Sequence, residues 1–317
     1  MKIAGAVPKI PSPTLEEFTA RFLLRHEPVV ISGSTSGWKA HSAWTLDYLR
    51  SKIGSRPVRV KESKSNVHPD LYSGLAAREV ELTFGRYLDL ISSDNPERNK
   101  VYLSGDELRF LSDYTKINPT LSPLFDDFSP PRYCPRELIN TIGFWLSATG
   151  VVASLHYDTD GSHNLNVQVK GRKRVLLFSP AQNLYPFSGI GQSAARHNFS
   201  QVNILHPDDG RFPGFRSVTC LEAVIEEGDM LFIPSYWYHA VFHEGDININ
   251  VNFWWQPEGL LLHKTSFRAA FLSLARSATG LDTGLGSKQP FGAKPVSAEG
   301  RLLLQRMEEL ISRQYRL

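Results

Sequence analysis

Between residues 140 and 256 short apolar runs alternate with turn residues, and this pattern constrains the fold more than any other feature of the sequence. Many short strands with glycine and proline between them are typical of an all-β barrel or sandwich. The stretch from 181 to 222 reads as irregular and is expected to cross the barrel mouth. The runs that we assign to strands are 142–148, 151–158, 165–170, 174–178, 230–233, 238–242 and 247–255.

Helical patterns flank this strand-rich region on both sides. Residues 14–25 read as a helix, with Thr14 as its cap and Glu17 completing a capping box. Beyond residue 260 the pattern is helical again, and the apolar face of 301–315 permits either packing on the barrel or a homodimer interface. We therefore divide the chain into N-terminal helical and β elements that pack on the core, the β core itself, and C-terminal helices, at 1–135, 136–258 and 259–317.

Composition narrows the class of protein only broadly. The chain has 317 residues, of which 41% are hydrophobic, enough for a sizeable core. The formal net charge of +3 is too small to imply a polyanionic partner, so nucleic acid is neither indicated nor excluded. Cys134 and Cys220 lie outside any CxxC motif, which favours reduced thiols. With no secretory signal and no run near the ~20 apolar residues of a membrane span, we expect a soluble, intracellular (cytoplasmic) protein without a membrane partner.

The motif His156-Tyr157-Asp158 is the main chemical signal in the sequence. On a strand, residues i and i+2 project from the same face, so an imidazole and a carboxylate would lie side by side. His239, on a later strand, is the candidate for a third ligand. Two histidines and one carboxylate form the facial triad of non-haem iron(II) oxygenases, whereas structural zinc prefers four ligands, often thiolates. A lone His-x-Asp can also be an accident of sequence, so the motif needs its context.

Three further segments supply that context. They are 169–180, 228–239 and 251–254, which read VKGRKRVLLFSP, GDMLFIPSYWYH and VNFW. Together with the His-Tyr-Asp motif they resemble the JmjC-type, cupin-like oxygenases, strongly over 140–256 and weakly before that. Among the members of that family, the likeness is greatest to protein asparaginyl hydroxylases and to tRNA hydroxylases of the wybutosine pathway.

The resemblance implies a double-stranded β-helix, in which two four-stranded sheets close around Fe(II), with 2-oxoglutarate and O2 as co-substrates. It implies that Lys173 binds the far carboxylate of 2-oxoglutarate, and a carboxylate buried in a barrel does need such a partner. Tyr102 resembles a tyrosine that reaches the same carboxylate, although an ordinary core tyrosine is the alternative. Asn164, Asn252 and Trp254 are assigned to the co-substrate site on the same ground.

The last predicted strand carries an independent signal. Asn248, Asn250 and Asn252 alternate with apolar residues and therefore share one face. A buried row of amides is costly without partners, so this face is expected to line a wet or liganded cavity. The alternative is an edge strand that faces solvent.

Some residues depart from the family pattern or stand outside it. Asn198 and Phe199 replace an Arg-Gln pair that grips the substrate amide in the asparaginyl hydroxylases, which argues against asparagine as the substrate. His243 is interpreted as a structural residue or one that supports the metal ligands from behind. The remaining histidines of this region are expected in loops at the surface: His163, His197 and His206.

These observations lead to three hypotheses for the function. The first is a 2-oxoglutarate-dependent dioxygenase that hydroxylates a C–H bond of a protein or peptide side chain. The second is a hydroxylase of a tRNA base or of a small metabolite. The third is a non-catalytic cupin binding module, against which the intact triad and Lys173 argue, because a degenerate relative is expected to lose a ligand.

Overall fold

A computed structural model describes residues 1–73, 77–92, 94–103, 109–112, 116–117, 120–158, 162–182, 184 and 198–255. The predicted C-terminal helices and the homodimer surface on them lie outside the described residues. In the part of the chain that is described, no helix is long and apolar enough to cross a membrane.

Strands dominate the described residues, which confirms the mainly β fold class expected from the sequence. They are β1 (Lys2–Ala6), β2 (Lys9–Pro11), β3 (Val29–Ser32), β4 (Pro57–Glu62), β5 (Val67–His68), β6 (Arg78–Thr83), β7 (Val101–Tyr102), β8 (Arg109–Ser112), β9 (Lys116–Ile117), β10 (Ile139–Ala148), β11 (Val152–His156), β12 (His163–Phe178), β13 (Thr219–Ile225), β14 (Asp229–Ile233) and β15 (Tyr238–Trp255).

The four α-helices that the structure describes precede the barrel strands in the chain. The α-helices are α1 (Leu15–Phe18), α2 (Lys39–Ala43), α3 (Leu46–Ile53) and α4 (Phe84–Ser92), and α1 continues as a π-helical turn over Thr19–Leu23. The capping box predicted for α1 is present, because Glu17 N donates to Thr14 Oγ1 over 3.1 Å and Thr14 N donates to Glu17 Oε2 over 2.9 Å. Short 3-10 helices lie at Pro96–Lys100, Ser122–Asp127, Arg136–Leu138 and Pro213–Ser217.

Two long antiparallel strands, β12 and β15, organise the whole barrel. They pair with each other from His163↔Trp255 to Phe178↔Tyr238. In one half they are flanked by β14 and β10, and in the other half by β13 and β11. Each half is thus a four-stranded sheet, β14-β12-β15-β10 and β13-β12-β15-β11. This is the double-stranded β-helix expected from the sequence.

Glycines at the midpoints of β12 and β15 explain why the sequence pattern split each strand into two runs. Gly171 and Gly245 adopt φ of +78° and +79°, where a side chain is strained. A Cβ atom on Gly171 would also lie 2.2 Å from the carbonyl oxygen of Ile247. The chain bends at these points and passes from one half-sheet to the other without ending the strand. A second difference is β13, which begins inside the stretch that was expected to be irregular, at 219–222.

The outer faces of both half-sheets are apolar and covered. Leu165, Val251 and Phe253 belong to a cluster that includes residues of α1, α3 and α4. On the other half-sheet, Leu176 and Phe178 pack with residues of the 202–218 segment. The N-terminal segment also extends the main sheet, because β3 pairs with β14 and β2 pairs with β3. The division of the chain into three parts stays a prediction.

The faces that the two half-sheets turn toward each other carry buried polar residues beside an apolar cluster that includes Val175, Leu177 and Val241. Asn248, Asn250 and Asn252 are 1–3% exposed, and β15 lies between β12 and β10 rather than at an edge. The cavity-lining alternative of the sequence analysis is therefore the one that the fold supports, and the edge-strand alternative is wrong.

Candidate active site

The three predicted metal ligands meet at one end of the barrel interior. His156 ends β11, His239 is the second residue of β15, and the two are direct partners in the pairing of these strands. Asp158 Oδ1 lies 4.0 Å from His156 Nε2 and 3.9 Å from His239 Nε2. Two atoms that each lie about 2.0–2.2 Å from one ion can be at most about 4.4 Å apart, and both distances meet this limit. The donor set therefore fits a single divalent ion.

Backbone carbonyls fix which nitrogen of each imidazole faces the carboxylate. His156 Nδ1 donates to the carbonyl oxygen of Ser154 over 2.7 Å, and His239 Nδ1 donates to that of Trp237 over 3.0 Å. With the proton on Nδ1, the lone pair is on Nε2, the atom closer to Asp158. Such contacts orient ligating histidines and raise their basicity. Both rings are therefore prepared to bind a metal through Nε2.

The carboxylate of Asp158 is held by two donors on its other oxygen. Asn164 Nδ2 and Trp254 Nε1 each donate to Asp158 Oδ2 over 2.9 Å. Oδ1 is thereby directed to the two imidazoles and is the oxygen that could bind a metal together with them. Asn164 and Trp254 were predicted to line the co-substrate site, and that prediction stays open. In the structure both side chains donate to the carboxylate of Asp158, a candidate metal ligand.

A chain of buried amides leads from the triad into the barrel. Asn252 Nδ2 donates to Asn164 Oδ1 over 3.0 Å, and Asn250 Nδ2 donates to Asn252 Oδ1. The Lys173 ammonium donates to Asn250 Oδ1 at the far end of this chain. Hydrogen bonds within the row thus satisfy amides that would otherwise be costly to bury. They also connect the metal end to Lys173.

Lys173, His243, His68 and Tyr102 form what we call the basic pocket. The side chain of Lys173 is 2% exposed, and burial lowers its pKa well below the ordinary value. Burial also lowers the pKa of His243 well below the usual range, and the charges of Lys173 and His68 add to this effect. Burial lowers the pKa of His68 to about 4. The Tyr102 ring lies 5.0 Å from the His68 ring and 6.3 Å from the His243 ring, so the tyrosine is placed beside the lysine end of the cavity.

The turn that precedes His239 is tied to two buried histidines. Ser235 N donates to His163 Nδ1 over 3.0 Å, and Ser235 Oγ lies 3.0 Å from His26 Nε2. Tyr236, between these contacts and His239, has a φ of +60°. His163 is 4% exposed, and burial lowers its pKa to about 4, so its expected surface position was wrong.

His206 and His197 were also expected at the surface, and the structure tests only the first of these predictions. His206 is exposed, as predicted. His197 lies outside the described residues.

The sequence analysis did not identify Trp145 as a residue near the site, and it did not recognise the contact that Phe199 makes there. Trp145 Nε1 is buried and has no hydrogen-bond partner among the described residues, and its ring lies nearly parallel to that of Tyr102 at 6.0 Å. Phe199 was noted only as a departure, but its ring stacks on that of His156 at 4.9 Å and 16°. The available signal for Trp145 was its alternation with Gly143 and Ser147, which places it on the cavity face of β10.

This fold and donor set define a cupin whose candidate metal ligands lie between two four-stranded sheets. Residues 14–259 match the model of the Cupin-like domain, and the chain belongs to this family. The JmjC-type, cupin-like resemblance is thereby confirmed. The His–Asp–His set is the one that the expected Fe(II) and 2-oxoglutarate chemistry requires.

Several curated proteins are similar to this chain. Lysine-specific demethylase 8 of Danio rerio is 32% identical over 258 residues, which are 78% of this chain and 58% of that protein. The protein of the same name from Xenopus tropicalis is 29% identical over 257 residues, 79% of this chain and 53% of its own length. The tRNA wybutosine-synthesizing protein 5 of Homo sapiens is 28% identical over 260 residues, 79% of this chain and 78% of that protein. The chain thus spans little more than half the length of the demethylases.

Proposed function

We propose that this protein is an Fe(II)- and 2-oxoglutarate-dependent oxygenase that oxidises a C–H bond of its substrate. The observation that carries the proposal is the triad of His156, Asp158 and His239, whose donor atoms all lie within 4.8 Å of one another. Three protein ligands on one side of an ion leave positions for a co-substrate and for oxygen. Bound Fe(II) supplies the oxidising chemistry. In the overall reaction, O2, 2-oxoglutarate and the C–H substrate give succinate, carbon dioxide and the hydroxylated product.

The protein side chains have separate tasks in this reaction. His156, His239 and Asp158 hold the ion, and Asn164 with Trp254 orients the carboxylate through Oδ2. Lys173 binds the far carboxylate of 2-oxoglutarate, because a buried ammonium and a buried carboxylate each need a partner of opposite charge. His239 is buried and the other two ligands are partly buried, which limits the water that can compete with the substrate.

We infer that the substrate is a protein or peptide side chain other than asparagine. The Phe199 ring stacked on His156 gives the substrate an apolar wall beside the metal and offers no hydrogen bond to a side-chain amide. The demethylases among the relatives are named for lysine, a side chain with a long apolar stem that such a wall accommodates. Oxidation of an N-methyl group would release it, so demethylation is a form of the same chemistry.

A hydroxylase acting on tRNA is the second candidate. The supporting observation is the similarity to tRNA wybutosine-synthesizing protein 5, of which the alignment covers 78%. The formal net charge of +3 gives this candidate no additional support. Binding to tRNA would weaken steeply with salt because counterions are released, whereas binding to a peptide would depend on salt much less.

The test is the release of succinate by the purified protein with Fe(II), ascorbate and 2-oxoglutarate, combined with mass spectrometry of cell extract. We expect a product that carries an added oxygen or has lost a methyl group, in extract treated with the wild-type protein. The variant His156→Ala should give no product, and the matched variant His206→Ala, at an exposed histidine, should behave like the wild type. Metal binding without any turnover, in protein extract or tRNA, would instead favour the binding module.

A further inference from the structure

Lys173 is a buried amine whose ammonium form calls for an anion, because burial alone lowers its pKa well below the ordinary value. Its hydrogen-bond partner is the neutral amide oxygen of Asn250, and no described carboxylate forms an ion pair with it. A charge removed from water without an opposite charge is costly, and this cost is relieved when an anion binds. The basic pocket is therefore complete only with a ligand that brings negative charge to Lys173.

His243 is placed to share that ligand. It is the direct partner of Lys173 in the pairing of β12 with β15, and the register is regular from Arg172 to Phe178. Directly opposite residues of an antiparallel pair have Cβ atoms about 4.5–5.5 Å apart on the same face. His243 also shares its strand face with His239, four positions earlier, so both imidazoles project into the barrel interior.

The hydroxyl of Ser147 is the hydrogen-bond partner of the His243 imidazole. Ser147 Oγ is hydrogen-bonded to His243 Nδ1, and both residues are buried. Burial and the neighbouring charge of Lys173 lower the pKa of His243, so its ring is neutral and carries one proton. When Ser147 donates to Nδ1, that proton is on Nε2, and the imidazole offers an N–H group without a second positive charge.

We propose that His243 is a co-substrate-binding residue, whose Nε2–H donates to the far carboxylate of 2-oxoglutarate beside the Lys173 ammonium. The proposal rests on the proposed function and names a further residue at its co-substrate site. One cation and one neutral donor match the charge and the two oxygens of a single carboxylate group. Ser147 is a positioning residue in this arrangement, since it acts on the ligand only through the imidazole.

The experiment compares two 2-oxo acids that differ only at the far end. 2-Oxoglutarate has the far carboxylate, and 2-oxobutyrate has the same keto-acid end without it. Binding to the Mn(II)-loaded, full-length protein is measured by calorimetry without oxygen, so that no turnover occurs. The variants are His243→Phe, which keeps a ring but no N–H, His243→Gln, which keeps an amide donor, Ser147→Ala, and His206→Phe as a control at an exposed histidine.

We expect His243→Phe to weaken binding of 2-oxoglutarate about tenfold or more, because a hydrogen bond to a charged group is lost. Binding of 2-oxobutyrate should be unchanged. His243→Gln should recover part of the loss, and Ser147→Ala should weaken 2-oxoglutarate binding by a smaller factor. His206→Phe should match the wild type with both ligands.

The possible failures are distinguishable. A wild-type protein that binds Mn(II) but not 2-oxoglutarate would overturn the proposed function itself. Wild-type binding of 2-oxoglutarate that is unaffected by His243→Phe, or equal weakening of both 2-oxo acids, would overturn only the inference about His243. If His243→Phe does not fold, His243→Gln and Ser147→Ala decide, and wild-type affinity for 2-oxoglutarate in both would overturn the inference.

Discussion

The metal end, formed by His156, Asp158 and His239, and the basic pocket lie in one barrel interior. They differ in whether the protein itself supplies groups of opposite charge. At the metal end, Asp158 brings a negative charge to two imidazoles, and donors on its Oδ2 and carbonyls behind each ring hold the set in place. In the basic pocket, Lys173 donates to an amide oxygen, and no carboxylate among the described residues pairs with it. One end is complementary to a cation and the other to an anion.

The strands β12 and β15 run past both the metal end and the basic pocket. They therefore hold the two sites at a fixed separation. His239 and His243 lie on one face of β15, while Lys173 is opposite His243 on β12. A ligand that bridges the two ends therefore needs a metal-binding group and a distant carboxylate, as 2-oxoglutarate has. The comparison predicts that changes at each end should affect different ligands.

The largest effect is expected from Asp158→Ala. Removal of this carboxylate leaves two imidazoles without the negative charge of the site, so metal binding and succinate release should both be lost. Metal content after dialysis and succinate formation are the measurements. The control is Asp126→Ala, at an exposed aspartate, which should retain both. Turnover by Asp158→Ala at the wild-type rate would contradict the assignment of the metal end.

At the opposite end, Lys173→Met should raise KM for 2-oxoglutarate by about 30-fold or more, because a buried charge pair is truncated. Metal binding should remain, which separates this end of the cavity from the triad. KM for 2-oxoglutarate and metal content are measured together. Lys170→Met serves as the matched variant, since Lys170 forms a more exposed pair with Glu227 at 3.4 Å. A loss of metal in Lys173→Met with no change in KM would reverse the comparison.

Trp254→Phe tests whether Trp254 supports Asp158 as the proposed carboxylate ligand. The substitution keeps an aromatic ring but removes the Nε1–H that donates to Asp158 Oδ2. Loss of such a supporting hydrogen bond typically weakens metal binding by about 10–100-fold. Titration of Mn(II) into the variant measures the change, and affinity for 2-oxoglutarate at saturating metal should stay close to that of the wild type. The reverse pattern would place Trp254 in the co-substrate site instead.

Sequence periodicity predicted much of the metal end but little of the basic pocket. His156 and Asp158 are two residues apart, so strand alternation alone places them on one face, and the same rule gave the buried row of asparagines. The hydrogen bond between Ser147 and His243 joins residues on different strands, and the local sequence pattern does not predict which residues of two strands meet. Glycines that bend a strand and glycines that end one look alike in sequence, which is why β12 and β15 were divided.

The burial of His163 could not be predicted from its neighbours in the sequence either. His163 follows a loop in the sequence, but in the fold it begins β12 and its ring lies 5.3 Å from that of Trp255 and 5.5 Å from that of Phe232. The contacts that bury it come from residues far away in the chain. The strand β13 was missed for a similar reason, because it is defined by pairing with β12 and β1 rather than by its own alternation.

The smallest expected effect is on the free energy of unfolding at acid pH. It concerns two buried histidines, His163 near the metal end and His68 in the basic pocket. The pKa of His163 is about 4 in the folded protein, below its ordinary value of 6.5. Between these values the unfolded chain binds more protons than the folded one, so the free energy of unfolding falls as pH falls from about 6.5 toward 4. His163 alone should contribute a loss of about 2 kcal/mol between pH 7 and pH 5. His68, in the basic pocket, has the same lowered pKa and should act in the same direction.

Urea unfolding of the wild type and of His163→Gln at pH 7 and pH 5 measures this contribution. Glutamine can still accept the hydrogen bond from Ser235 N but does not titrate, so the variant should lose less stability than the wild type over this pH range. The carboxylates titrate in both proteins, and the difference between the two pH dependences isolates the histidine. The same measurement on His68→Gln extends the comparison to the basic pocket. Identical pH dependences for wild type and both variants would mean that neither imidazole is kept neutral by burial, because a histidine that protonates equally in both states leaves no trace in the difference.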